Sequence, residues 1–195
     1  MNALTGPAEE QVVLLDESGA RVGTAAKRDV HHADTPLHLA FSCYVFDSDD
    51  RLLVTRRALH KTTWPGVWTN SACGHPAPEE DLLGAVRRRV GEELGIGLDD
   101  LRLVLPTFRY RAVMPDGTVE NEMCPVLVAR TRDAVAPDPA EVDDTVWTPW
   151  ADFRDSVLDG SREVSPWCRE QVAALPEEPW TAPAADPASL PAALH

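Results

Sequence analysis

The sequence predicts an α/β layered fold. Strand-like runs lie on both sides of one long amphipathic helix, and further helical stretches come late in the chain. The 195 residues are 44% hydrophobic and 26% charged, an ordinary globular composition of single-domain length.

Residues 1–10 lack apolar periodicity and are expected to be loose. Val12 to Leu15 reads as a strand, Asp16-Glu17-Ser18-Gly19 as a turn, and Arg21 to Lys27 as the returning strand of a hairpin. His31 to Leu37 reads as loop, with Pro36 barring a helix. Leu39 to Phe46 is the most continuous apolar strand signal. It turns through Asp47-Ser48-Asp49-Asp50 into a partner at Leu52 to Thr55. Trp64-Pro65-Gly66-Val67-Trp68 is a rigid aromatic loop. Glu79 to Leu94 is expected to be helical, with Glu79, Glu80 and Asp81 in its first turn, where the helix dipole favours acids. Leu82, Val86, Val90 and Leu94 form one stripe, and Gly95 is a natural stop. Phe108 to Ala112 alternates as a strand. Thr118 to Arg130 reads as one more strand, with Pro125 marking an edge or bulge. A strand at Asp143 to Trp150, a helix through Leu158 and a last helix at Ser165 to Ala174 follow. Residues 176–195 are rich in Pro, Ala and acid and are expected to form a disordered tail.

Eighteen basic and 32 acidic residues leave a net charge of −14, with the six His counted neutral. This argues against nucleic acid and anionic membranes as partners, but not against a small anion met by local cations. No apolar run is long enough to cross a bilayer, and no signal peptide is visible. The four cysteines, Cys43, Cys73, Cys124 and Cys168, include no CxxC pair. A cytoplasmic protein with reduced thiols is expected, as a monomer or weak homo-oligomer.

The sharpest motif runs from Gly74 through Glu80 to Arg88-Arg89-Val90-Gly91-Glu92-Glu93-Leu94-Gly95-Ile96. Its spacing resembles the Nudix box, a loop-helix-loop that holds divalent metal against a diphosphate. Arg89 and Glu93 fall one turn apart on one helix face. A carboxylate there can hold Mg²⁺, and Mg²⁺ can bridge diphosphate oxygens. One departure is decisive. Arg89 stands where the box has a Glu, so this position cannot ligate metal but can fork hydrogen bonds to phosphate. Such a site should grip a diphosphate without cleaving it.

His31-His32-Ala33-Asp34-Thr35-Pro36-Leu37-His38, Thr55-Arg56-Arg57-Ala58-Leu59, Trp64 to Asn70, Cys73-Gly74-His75-Pro76, Phe108-Arg109-Tyr110-Arg111 and Glu120-Asn121-Glu122 together resemble type I isopentenyl-diphosphate Δ-isomerase, over about residues 11–170. The resemblance implies a Nudix-like α/β/α sandwich with a mixed β-sheet, as a single domain over 11–175. It implies an isomerase interconverting isopentenyl and dimethylallyl diphosphates in isoprenoid biosynthesis. One divalent metal (Mn, Zn or Mg) would sit on His31, His38, His75, Glu120 and Glu122. Mg²⁺ accompanying the diphosphate would be held by Glu93 and the Cys73 carbonyl. Cys73 and Glu122 would transfer protons, Tyr110 would support Glu122, and Trp167 would cover the carbocation. Lys27, Arg57, Lys61 and Arg89 would line the diphosphate end, with Trp64 and Trp68 shaping the pocket wall. Cys43, Cys124 and Cys168 read as packing residues, and His60 and His195 as ordinary ones. His32 carries no assigned role. The competing readings are a Nudix pyrophosphohydrolase and a non-catalytic diphosphate binder.

Overall fold

The computed structural model describes residues 10–195. The loose segment expected over 1–10 therefore lies outside the described residues, Glu10 excepted. Among the described residues the strands are β1 (Gln11–Leu15), β2 (Arg21–Ala26), β3 (His38–Leu39), β4 (Phe41–Phe46), β5 (Arg51–Arg57), β6 (Trp68–Thr69), β7 (Ala72–Gly74), β8 (Asp99–Leu105), β9 (Arg109–Val113), β10 (Val119–Met123), β11 (Val126–Arg130) and β12 (Val142–Pro149). The α-helices are α1 (Leu82–Leu94), α2 (Trp150–Leu158) and α3 (Pro166–Ala174).

The strands form two mixed sheets. The smaller runs β2-β1-β3-β10-β9. The larger runs β12-β5-β4-β11-β8, with β6 on β5 and β7 on β4. The central strands β4, β5 and β11 are buried on both faces, which explains their nearly unbroken apolar runs. Alternate side chains divide between two cores. Phe41, Cys43, Val45, Leu53 and Leu127 pack against the α1 stripe of Leu82, Val86, Val90 and Leu94. Tyr44, Phe46, Leu52, Val54 and Val126 pack against Trp150 and Phe153 of α2 and Trp167 and Val172 of α3. The result is an α/β/α sandwich.

Several expectations need correction. The run 118–130 is two strands in two sheets. It crosses between them at Cys124-Pro125, where proline has no N–H to leave unpaired. The run 39–46 crosses beside it: β3 lies parallel to β10, and β4 parallel to β11. Backbone bonds from Ala40 to Met123 (2.9 Å) and from Ser42 to Pro125 (3.0 Å) hold the two crossings together.

The helix begins later than expected. Glu79 has φ +68°, so it cannot be helical, and Asp81 is the N-cap, accepting from the Gly84 amide at 2.8 Å. Glu80 instead forms a forked ion pair with Arg88 at 2.7 and 2.8 Å, which ties the preceding loop to α1. Gly95 does end the helix, at φ +67°.

The strand β8 was not anticipated; Gly97 and the charged start Asp99-Asp100 disguise it. The segment after Pro176 is ordered in three short 3₁₀ turns, not a loose tail. Its few contacts are specific. Trp180 meets the Phe46 ring at 5.1 Å, Trp150 Nε1 donates to the Glu177 carbonyl at 2.7 Å, and Arg102 donates to the carbonyls of Trp180 and Ala182.

Candidate active site

A cavity of about 550 Å³ opens where the two sheets meet the second half of α1. Lys27, His31, Arg57, Lys61, Cys73, His75, Arg89, Glu93, Tyr110, Glu120, Glu122 and Trp167 all line it. Of the residues singled out by sequence, His38, Trp64 and Trp68 are not part of the wall, which corrects the expectation for the two tryptophans. His38 is fully buried.

Strand register explains the first group. Glu122 on β10 is the cross-strand partner of His38 on β3 and of Tyr110 on β9. Three chemistry-bearing side chains therefore share one row. Tyr110 donates its hydroxyl toward Glu122 Oε2 at 2.8 Å and Glu120 Oε2 at 3.0 Å. The loop before β3 brings His31, and the residue after β7 is His75, whose Nε2 lies 3.1 Å from Glu122 Oε1.

One ligand atom each from His31, His38, His75 and Glu122 lies within 4.8 Å of all the others. Ligands on opposite sides of a divalent ion at about 2.1 Å stand about 4.2 Å apart, so small side-chain rotations close this cage. Hydrogen bonding supports the fit. His38 Nδ1 lies 2.9 Å from the Pro36 carbonyl and donates its proton there, leaving Nε2 to face Glu122 Oε1 at 3.4 Å. That Nε2, His31 Nε2 and His75 Nδ1 are buried with no hydrogen-bond partner among the described residues. A backbone carbonyl on one ring nitrogen and an unfilled lone pair on the other is the usual state of a metal-binding histidine. The protein can hold a divalent metal here. Glu120 stands beside this group, not within it. His32, His60 and His195 are apart from it.

Burial and charge set the protonation states. Burial drives His31 down to about 4, so it is neutral near pH 7. Burial opposes a charge on Glu122, but His38 and His75 outweigh it and hold that carboxylate well below the ordinary range. Glu120, buried beside an ionised Glu122, is pushed up to about 7. Burial raises the Cys73 thiol to about 11.

Cys73 sits on β7 opposite Ser42 of β4, in the larger sheet. The glycine after it is needed for close approach. A Cβ on Gly74 would stand 2.9 Å from Phe41 Cζ and 3.0 Å from Arg89 Cγ. Trp167 comes from α3. Its ring meets Tyr110 at 5.6 Å and Trp64 edge-on at 5.9 Å, with the Arg57 guanidinium 5.8 Å above it. Trp64 thus buttresses Trp167, while Trp68 packs under Arg56 at 5.3 Å.

The other end of the cavity is a balanced cluster of ions. Arg89 pairs with Glu93 on α1 and lies 3.2 Å from both Glu92 and Glu141. Lys61 also pairs with Glu141, and Lys27 pairs with Glu10 at 2.5 Å. Arg57 donates to the Thr63 carbonyl at 2.9 Å, closing the loop between them. Sequence reasoning missed Glu141, one acid in a run of acids just before β12. It also gave no role to Asn70, although Asn70 stands inside a quoted motif.

Comparison with known proteins agrees with this geometry. A NUDIX domain model matches residues 36–168. An isopentenyl-diphosphate Delta-isomerase of Saccharopolyspora erythraea is 59% identical over 185 residues, covering 93% of this chain and 95% of that protein. Another so named, from Mycolicibacterium vanbaalenii, is 60% identical over 166 residues, covering 85% and 91%. Among solved structures, a Deinococcus radiodurans protein superposes with a TM-score of 0.66 at 19% identity, covering 85% of this chain and 98% of that one. A MutT protein of Methanosarcina mazei superposes with a TM-score of 0.56 at 17% identity, covering 72% and 94%. These two likenesses speak for the fold. With relatives this similar across nearly its whole length, the chain belongs to the isopentenyl-diphosphate Delta-isomerase family of the Nudix superfamily.

Proposed function

We propose that the protein is an isomerase that converts isopentenyl diphosphate to dimethylallyl diphosphate. The observation that carries this reading is the division of one cavity. A thiol, a carboxylate and packed aromatics occupy one end, and cations held among carboxylates the other. A proton is added at the terminal methylene carbon of the substrate. The tertiary cation so formed loses a proton from the carbon on the diphosphate side, so no atom or electron is gained overall.

Cys73 and Glu122 are the two proton-transfer groups, one from each sheet. In the free protein Cys73 holds its proton and Glu122 does not. Tyr110 fixes the Glu122 carboxylate through a 2.8 Å bond. The Trp167 face stabilises the cation without trapping it as a nucleophile would, an attraction worth about 2 kcal/mol or more in a dry site. Lys27, Arg57, Lys61 and Arg89 bind the diphosphate. Glu93 and the Cys73 carbonyl hold the Mg²⁺ that travels with it. A divalent metal (Mn, Zn or Mg) on His31, His38, His75 and Glu122, with Glu120 beside it, supplies a fixed positive charge next to the Tyr110–Glu122 pair. We read the protein as cytoplasmic, acting as a monomer or weak homo-oligomer in isoprenoid biosynthesis, with neither nucleic acid nor membrane as partner. Its four free cysteines fit a reducing compartment. No helix among the described residues is long and apolar enough to cross a membrane.

The test is incubation with isopentenyl diphosphate and divalent metal in deuterated water, followed by NMR. Deuterium-labelled dimethylallyl diphosphate without phosphate release is expected. Released phosphate with an unchanged carbon skeleton would favour a pyrophosphohydrolase, and no reaction a simple binder.

A further inference from the structure

Behind Cys73 and Trp167 lies a fully buried amide, Asn70, between β6 and β7. Its Nδ2 donates to the Cys43 carbonyl at 3.1 Å and the Ala72 carbonyl at 2.9 Å. Both amide protons are thus committed to backbone carbonyls. Flipping the amide would set its oxygen against two carbonyl oxygens, so the oxygen is held facing the other way. There it accepts from Cys73 Sγ at 3.3 Å, Trp167 Nε1 at 3.2 Å and Thr69 Oγ1 at 2.9 Å. One oxygen therefore anchors a side chain from β7 and one from α3, the two that face the substrate from the larger sheet's side.

The surroundings repeat this pattern. Thr69 Oγ1 lies 2.8 Å from the hydroxyl of Ser165, the N-cap of α3. Gln171, further along α3, donates to Ser42 Oγ at 2.9 Å and accepts from the Tyr44 hydroxyl at 3.0 Å. Because Ser42 Oγ accepts from Gln171, its own proton is directed at a thiol sulfur, Cys73 at 3.3 Å or Cys124 at 3.4 Å. Apolar packing alone would let a short helix slide or rotate, since it is not directional. Hydrogen bonds at Ser165, Trp167 and Gln171 remove that freedom.

We propose that Asn70 is a positioning residue for the isomerisation. Its carbonyl oxygen fixes the Cys73 thiol and the Trp167 ring relative to each other, and so sets the distance between the proton-transfer group and the aromatic face. This rests on the isomerase reading above. It calls for an amide specifically. An apolar residue would orphan the Trp167 N–H, and a carboxylate would oppose the Cys43 and Ala72 carbonyls.

The test compares wild type with Asn70→Ala and Asn70→Asp, by steady-state kinetics on isopentenyl diphosphate and by NMR of ¹⁵N-indole-labelled, substrate-free protein. The Trp167 signal is assigned by its loss in Trp167→Phe. Asn70→Ala should lower kcat by ~10²-fold, the scale of a misplaced reacting group, with KM nearly unchanged. It should also shift the Trp167 indole resonance. Asn70→Asp, which keeps the acceptor oxygen, should recover part of both; if the Ala variant does not fold, Asn70→Asp and Asn70→Ser carry the comparison. Unchanged kcat, or a lost kcat with an unmoved Trp167 resonance, would overturn the proposal. A wild-type protein that makes no dimethylallyl diphosphate would remove the isomerase reading first, and the substrate-free resonance shift tells that failure apart.

Discussion

Arg89 and Glu93, one turn apart on α1, form a buried ion pair at the diphosphate end of the cavity. Burial alone would push both groups toward their neutral forms. Burial raises the proton affinity of Glu93 against the pull of Arg89, while the carboxylates around Arg89 keep the guanidinium charged. On the proposed reading Arg89 offers the diphosphate a fork of donors where the family motif otherwise carries an acid.

Replacing Arg89 with Met should therefore raise KM for isopentenyl diphosphate by about 10–100-fold, the value of one or two charge-assisted hydrogen bonds. It should also cost about 3–5 kcal/mol of stability while Glu93 remains ionised. Because Glu93 binds a proton more readily in the folded state, the stability loss should shrink as pH falls. Kinetics and thermal melting over a pH series check both parts.

Cys73→Ala should lower kcat by ~10²–10⁴-fold, the usual contribution of a positioned proton-transfer group, and leave diphosphate binding largely intact. Calorimetric titration with inorganic diphosphate and Mg²⁺ separates the two effects. Near-normal turnover would take Cys73 out of the proton-transfer role.

Stripping the protein with a strong chelator should abolish turnover and lower the melting temperature. Re-addition of one equivalent of the physiological metal should restore both. Atomic emission on the purified protein identifies that metal. His38→Ala, which removes the ligand pinned to the Pro36 carbonyl, should weaken metal binding and turnover together.

Glu120 predicts a pH effect in the metal-free protein. Its carboxyl titrates near 7 when folded, because burial and then the Glu122 charge oppose ionisation, against 4.5 for an ordinary Glu. Such a group stabilises the fold fully below about pH 4.5, and this contribution is lost as pH rises through about 7. Melting temperatures of wild type should thus fall across that window relative to Glu120→Gln. Parallel curves for the two proteins would contradict the assignment.

The resemblance of several motifs to one family, rather than their local chemistry, made much of this site legible. His31, His38, His75 and the Glu120/Glu122 pair are scattered over 92 positions, yet the pairing of β3 with β10 and the loops beside β3 and β7 bring four of them to one cage. Local chemistry also carried the end of α1 at Gly95. What stayed hidden depended on long-range pairing. Thr118 to Arg130 has the composition of one strand, and only the partner crossing at Ala40 shows that it changes sheets. The ordered C-terminus escaped notice because scattered long-range contacts, among them Trp180 on Phe46, Arg102 on the Trp180 carbonyl and Ala185 on Leu103, hold a segment whose average composition is poor in core formers. Glu141 carries no local signal at all, since its partners Lys61 and Arg89 are 80 and 52 residues away.

Cys73 and Glu122 belong to separate hydrogen-bonded ladders, joined at the paired crossings beside Pro125. Backbone ladders are stiff, but the gap between two of them is filled by side chains. On the proposed assignment of Cys73 and Glu122 the reaction spans a joint, and the compliance of that joint sets how far apart the two groups stand. Neither Ala40 nor Pro125 lines the cavity. Substitutions there should nevertheless act as a spacer adjustment, changing which carbon skeletons fit between the two groups while leaving each group's own chemistry as it was.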